Sequence, residues 1–364
     1  MAFTKNIMTQ NKQYNYCLDF MKGLACLFVV WMHCEFPGRT GTMVQAISRF
    51  CVPFFFMVSG YFSGKLLSTD GEKFRSLIIN KKVKHIAKIT LWASLFYLAW
   101  AALRHFVWND KSLVVTKSQA VIWLFFNQPA VIGGHLWFLF ALLYDYVLVS
   151  VFDRTKIHQK QFVIGLVSMI LLFVLGQGFH LLDIRLPIPG FVRGDLGADT
   201  PQAAHLPNFV YRNWLIEGLA FFLLGRWIKE NKDKVKLSNT VLLVIVGVST
   251  ALCLLERMVM GRDFGVNICT LPQVTALFLY AVKNPDRHKG FIQRIGRDCS
   301  MLVYILHIFV WELLAKIYRA IGVSEDIFAL FILPILVVIV SIVLALVFNW
   351  IVSKFKKEPQ IVKS

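Results

Sequence analysis

Charge is scarce in this chain: Asp, Glu, Lys and Arg together make up 16% of its 364 residues, where soluble domains carry about a quarter. With 57% hydrophobic residues and a mean hydropathy of +0.61, that scarcity excludes a soluble globular fold. No C-x-x-C pair occurs among the seven cysteines (Cys17, Cys26, Cys34, Cys51, Cys253, Cys269 and Cys299). Most lie in apolar runs where thiols pack as small hydrophobes, so neither a disulfide framework nor a metal site is expected. No small-residue cleavage site follows the first apolar run, which carries Lys22 and His33. It is read as a retained span and not as a secretory signal. Low-complexity linkers are absent, and no inverted repeat of the kind transporters often carry is visible, which weighs weakly against a secondary transporter.

What the chain has is apolar length. A helix crossing a bilayer needs about 20 mostly apolar residues, and ten stretches qualify: 16–36, 44–66, 86–107, 134–152, 162–181, 208–228, 239–256, 264–282, 299–319 and 327–353. The expectation is an all-α, polytopic bundle of about ten transmembrane helices. It forms a single membrane domain over 1–364, with cytoplasmic tails at 1–15 and 354–364. VIWLFFNQPAVI, at 121–132, is too short for an eleventh span and is read as interfacial or re-entrant. With both termini cytoplasmic, 26 of the 39 Lys and Arg fall on the inner side and ten on the outer, leaving Lys22, Arg49 and Lys316 within spans. That is the positive-inside bias, and it accounts for the formal charge of +18 without nucleic acid. The basic, part-apolar stretch EKFRSLIINKKVKHIAK is placed on the inner membrane surface, against anionic lipid or a phosphorylated cosubstrate. The long outer connection 183–208 holds Pro187, Pro189, Pro201 and Pro207 and is expected to cover an outward-facing acceptor site.

Ionisable residues inside apolar helices cost free energy and mark candidate sites. Lys22 and His33 are eleven residues apart, which at about 100° per residue returns to within roughly 20° of one face and separates them by about 16 Å along the axis. One reading is a base and a charge serving a donor from inside and an acceptor hydroxyl from outside. The other is a snorkelling lysine and a helix-end histidine bonded to a neighbour. In SRFCVPFFFMVSGYF, Arg49, Pro53 and Gly60 fall near one face. Pro53 is expected to kink the helix and free a carbonyl beside a cavity. Ser59 lacks the G-x-S-x-G elbow of a nucleophile, so Ser59 and Gly60 are read as close-packing residues. The stretch GGHLWFLFALLYDY places His135 and Trp137 at a span end and Asp145 near its middle, with Lys22 or Arg49 as the expected partner of Asp145. Glu217 is embedded in the sixth span with Arg212 as its partner. Tyr304 and His307 share a face of the ninth, where Glu312 and Lys316 form an i,i+4 pair. His307 is a second candidate for catalysis or substrate positioning, or else a buried interhelical hydrogen bonder.

Together these segments resemble the integral membrane acyltransferase family 3. LDFMKGLACLFVVWMH is similar to that family's basic residue, ten intervening residues and histidine in the first span. PFFFMVSGYF is similar to its FF-x-x-SG-[FY] signature, and HLWFLFALL and YILH extend the likeness. The resemblance implies a multi-pass protein of the bacterial cytoplasmic membrane that transfers an acyl group, commonly acetyl from acetyl-CoA, to a hydroxyl of a cell-envelope or exported glycan. It implies acyl-CoA as cosubstrate, no tightly bound cofactor and no metal. His33 takes the catalytic place and Lys22 the basic one, where the family usually has arginine. Lysine cannot make the planar bidentate contact of guanidinium. In the expected mechanism Lys22 and Arg49 stabilise charge on the reacting carbonyl, while Tyr304 and His307 position a substrate. Many relatives add an extracytoplasmic hydrolase-like domain; here the likeness is to stand-alone members, which act alone or hand the acyl group to a separate extracytoplasmic protein. A second implication comes from the membrane portion of serine racemases associated with vancomycin resistance, which resembles the same family. It keeps open a transporter or flippase of a small polar solute such as serine, or of a lipid-linked sugar.

Overall fold

The computed structural model describes residues 14–63, 71–109, 116–129, 132–187, 203–324 and 326–355. The body of the proline-rich connection, and with it the expected cover over an acceptor site, lies outside the described residues. The chain is an all-α polytopic membrane bundle. Its helices are α1 (Tyr16–His33), α2 (Gly38–Ser48), α3 (Cys51–Ser63), α4 (Gly71–Trp108), α5 (Lys117–Phe126), α6 (Trp137–Arg154), α7 (Gln161–Phe173), α8 (Leu219–Asn231), α9 (Asn239–Met260), α10 (Thr270–Lys283), α11 (Ser300–Ala320) and α12 (Ile327–Phe355), with shorter turns between. The strand pairing among the described residues is a two-residue antiparallel ladder, Leu186 with Ala204 and Pro187 with Ala203.

Eight helical segments among the described residues are long and apolar enough to cross a membrane: Tyr16–His33, Gly38–Ser63, Asn80–Trp108, Gly134–Arg154, Gln161–Leu181, Asn239–Met260, Phe291–Ala320 and Ile327–Phe355. The two other expected spans are helical but differently built. Residues 208–228 divide into a short helix (Asn208–Tyr211) and a π-turn (Trp214–Gly218) that runs into α8. That second piece carries Glu217, Arg226, Lys229 and Glu230, too many charges for a plain apolar span. Within 264–282 the helix is α10 alone, 14 residues or about 21 Å, against about 30 Å of hydrocarbon. The segment at 121–132 supplies most of α5, ten residues long. Thr116 and Gln119 close a capping box at its start, and Asn127, in the left-handed region at φ 58°, ends it.

Pro53 does not kink a continuous helix. The chain leaves helical geometry at Arg49–Phe50 and re-enters it at Cys51, so Pro53 falls in the first turn of α3. There its fixed φ suits the helix and its missing N–H removes no interior bond. The break, not the proline, separates α2 from α3.

The helices group into two compact units. One contains α1, most of α2, the first residues of α9, most of α10, α11 and α12. The other contains α3 to α8, the rest of α9 and the start of α10. In the first, α1 is started by Asn15, whose side-chain oxygen accepts from Leu18 N (2.7 Å) while its amide donates to Ala281 O (3.1 Å). The π-turn Ile295–Cys299 lies directly on α1: a Cβ on Gly296 would strike the carbonyl of Asp19, and one on Gly23 would strike that of Ile292. In the second unit, α3 and α8 approach to backbone contact, because a Cβ on Gly60 would strike the Phe222 carbonyl and one on Gly225 the Met57 backbone. Phe54, Phe56, Phe221 and Phe222 are fully buried around that contact. The Ser59 hydroxyl donates to Phe55 O (2.9 Å) one turn back. Ser59 and Gly60 thus sit where small residues let two helices touch.

Candidate active site

In the first unit, α1 brings Lys22 and His33 onto one helix, His33 being its last residue. The His33 ring lies 5.2 Å from that of His307 on α11, tilted by 43°. His307 is fully buried, and its Nδ1 lies 2.7 Å from Tyr304 O and 3.2 Å from Val303 O. A carbonyl can only accept, so Nδ1 carries the proton and Nε2 is the lone-pair side. Tyr304 is buried with its ring 6.1 Å from that of His307. His33, and the Tyr304–His307 face read apart from it in sequence, therefore form one group.

Lys22 does not join them. Its Nζ holds Asp19 Oδ1 at 2.6 Å, one turn further from His33, and the two residues are separated by about 16 Å along the axis. Tyr14 OH also donates to the Asp19 carboxylate, and Gln293 Nε2 donates to Tyr14 OH (3.3 Å). Burial, then the Asp19 carboxylate, pushes the Tyr14 phenol up to about 12. Lys22 is thus placed on Asp19, about three turns of helix from His33. Asp19 was not singled out in sequence, although its i,i+3 spacing to an intramembrane lysine is a pairing signal.

The second unit holds the other candidates. Arg49 is bound to the carboxylate of Asp263, which leaves Asp145 without the partner expected for it. Both oxygens of Asp145 are buried with no hydrogen-bond partner among the described residues. The carboxyl rests instead on Gly218, where a Cβ would lie 2.6 Å from Oδ2. That residue closes the π-turn, and the missing side chain is what admits the acid. Lys22 and Arg49, the partners expected for it, are held by Asp19 and Asp263 respectively. Arg212 Nε meets Glu217 Oε2 at 3.3 Å, the pairing expected, and its guanidinium lies over the Trp137 ring at 5.4 Å. His135 is buried and meets the Tyr97 ring edge to face at 4.7 Å.

Asp263, in the connection after α9, is the partner of Arg49 that sequence reading missed. Burial opposes its ionisation, but Arg49, then Arg212 and the Gly265 N–H, outweigh it and hold the carboxyl below its usual range. A carboxyl so depressed contributes stability that is full above the ordinary value of about 4 and is lost as pH falls through the lowered one. The thermal midpoint of the purified protein is accordingly expected to fall on acidification below about pH 4. Asp263→Asn should start from a lower midpoint and show a shallower fall. An unchanged acid slope in that variant would remove Asp263 from the account.

A family model for an acyltransferase domain matches residues 15–354. The chain belongs to membrane acyltransferase family 3. No curated protein and no solved structure matches it. The match runs from the N-cap of α1 to the last turn of α12, so the acyltransferase domain takes in both compact units and both groups of buried polar residues. Within this membrane acyltransferase, His33 and His307 are the two candidate site histidines whose rings the fold brings together. An imidazole titrates near neutral pH, and a second imidazole of fixed tautomer beside it can hold its orientation.

Proposed function

We propose that this acyltransferase moves an acyl group, acetyl in the commonest case, from cytoplasmic acyl-CoA to a hydroxyl of a cell-envelope or exported glycan. The observation that carries the reading is the His33–His307 contact at the end of α1. His33 takes the proton of the acceptor hydroxyl as its oxygen attacks the thioester carbonyl. The carbon–sulfur bond breaks, and the CoA thiolate leaves and takes up a proton. His307, its Nδ1–H tied to the Tyr304 carbonyl, orients His33, and Tyr304 lines the same place.

Lys22, bound to Asp19 at the other end of α1, serves the donor at a distance from the reacting carbon. The basic residues of 283–297, in the same compact unit, supply charge for its phosphates. The membrane is the bacterial cytoplasmic one, with both termini and the basic connections inside, as the charge bias favours. The acyl group is either delivered directly or handed to a separate extracytoplasmic transferase.

Lys22→Ala is expected to raise KM for acetyl-CoA about tenfold or more, the loss of one charge-assisted contact, with Lys22→Arg retaining most of the affinity. Initial rates of CoA release by purified protein over a range of acetyl-CoA measure this. An unchanged KM in Lys22→Ala would take Lys22 out of donor binding.

A further inference from the structure

Among the described residues of the second compact unit, arginines outnumber carboxylates around the connection 261–269. Four arginines come together where the connection 261–269 meets the segment 208–217. Arg49 is bound to Asp263 and Arg212 to Glu217. Arg262 has no carboxylate among the described residues; its Nη2 donates to neutral oxygens, Leu206 O at 3.3 Å and Asn208 Oδ1 at 3.4 Å. Arg257 lies just before that connection, its carbonyl accepting from Gly261 N at 3.2 Å, and its Nε is buried with no hydrogen-bond partner. The remaining carboxylate, Glu256, is occupied by the N–H groups of Ile268 (2.9 Å) and Cys269 (3.1 Å).

The hydrogen-bond account tilts the same way. The amide nitrogen of Asn267, in the same connection, is a second buried donor without an acceptor. Arg212 is confined, its Cζ 5.4 Å from the Trp137 ring centroid and Gly265 so close that a Cβ there would overlap the guanidinium. Gly265 sits at φ +78°, a conformation that glycine adopts without strain, so the backbone here is shaped around the arginine. Uncompensated cations and idle donors in a partly buried place are costly unless an anion completes them. Glu217 Oε1, buried and also without a partner, adds one acceptor suited to a hydroxyl.

We propose that Arg212, Arg257 and Arg262 form a binding site for the anionic group of an acidic sugar, a carboxylate or a phosphate, with Glu217 taking a neighbouring hydroxyl. This rests on the acyltransferase reading only in naming the occupant: the acceptor of the reaction would be an acidic glycan, not a neutral one. The anion itself could belong to the sugar or to a phosphorylated lipid, and a binding experiment separates these without relying on turnover.

The test follows thermal unfolding of the full chain in phosphatidylcholine nanodiscs while glucuronate, inorganic pyrophosphate or glucose is titrated in. Glucuronate or pyrophosphate is expected to raise the midpoint in a saturable way and glucose to leave it unchanged. Arg257→Gln and Arg262→Gln should each weaken the apparent Kd about tenfold or more. Arg257→Lys, which keeps the charge, should retain part of the effect and separates a binding defect from misfolding. Equal shifts in wild type and both glutamine variants, or none with either anion, would overturn the site. So would a rise produced by phosphatidylglycerol nanodiscs alone, with no response to glucuronate or pyrophosphate, since the occupant would then be a lipid headgroup. Anion binding that is intact in a protein unable to transfer acetyl would support the site while refuting the reading of the reaction.

Discussion

His33→Ala is expected to lower acyl transfer by about 10²- to 10⁴-fold, the usual worth of a positioned general base, with little change in KM for acetyl-CoA. The reasoning starts from the end of α1. His33 is its final helical residue, next to Cys34, whose N–H closes on Val30 O at 2.8 Å, so the imidazole stands on a fixed helix end. The neighbouring His307 ring at 5.2 Å is itself fixed through Nδ1, and a base with a single orientation loses less on reaching the transition state. Lys22, which begins about 16 Å away along the same helix, should change donor affinity instead of this step. Measured kcat and KM for the two variants, in protein whose circular dichroism matches wild type, would separate the two roles. A His33→Ala enzyme with undiminished kcat would put the chemistry elsewhere.

Arg226→Ala should cost about 3–5 kcal/mol, the penalty for leaving one partner of a buried ion pair uncompensated. Arg226 Nη2 lies 2.8 and 3.2 Å from the two oxygens of Asp153, and both side chains are only 5% exposed. Gln161 Nε2, at 3.2 Å, would remain near a carboxylate with no cation on it. Removing both charges together, as Arg226→Met with Asp153→Leu, should cost much less, because no buried charge is then orphaned. Thermal midpoints in detergent for the single and double variants form the comparison. A single variant as stable as the double one would show that the pair contributes nothing beyond its packing.

Much of the bundle was legible because apolar runs of spanning length are hard to mistake. The α1 segment, the Ser59–Gly60 contact and the Arg212–Glu217 pair were all readable from local spacing. What could not be read was long-range pairing. Arg49 finds Asp263 across 214 intervening steps of sequence, and no local pattern ties them. An acid in lipid calls for a cation, yet both cations expected for Asp145 pair with other aspartates, Lys22 with Asp19 and Arg49 with Asp263. Pro53 reads as a kink in sequence because the chain's departure from helix at Arg49–Phe50 has no glycine or proline to announce it. Residues 208–228 looked like one apolar helix, since a π-turn changes the register without changing composition. The catalytic candidates fared differently: His33, Tyr304 and His307 carry a signal in being polar within apolar helices, but only folding shows that they meet.

The most direct test of the account uses full-length protein in sealed liposomes. Labelled acetyl-CoA is supplied at the face bearing the termini and an acidic envelope glycan at the other. CoA should be released and label should enter the glycan as an ester, with both signals lost in His33→Ala. Release of no CoA and no labelled ester from folded, inserted protein would contradict the central claim that this family member transfers acyl groups to a glycan through His33.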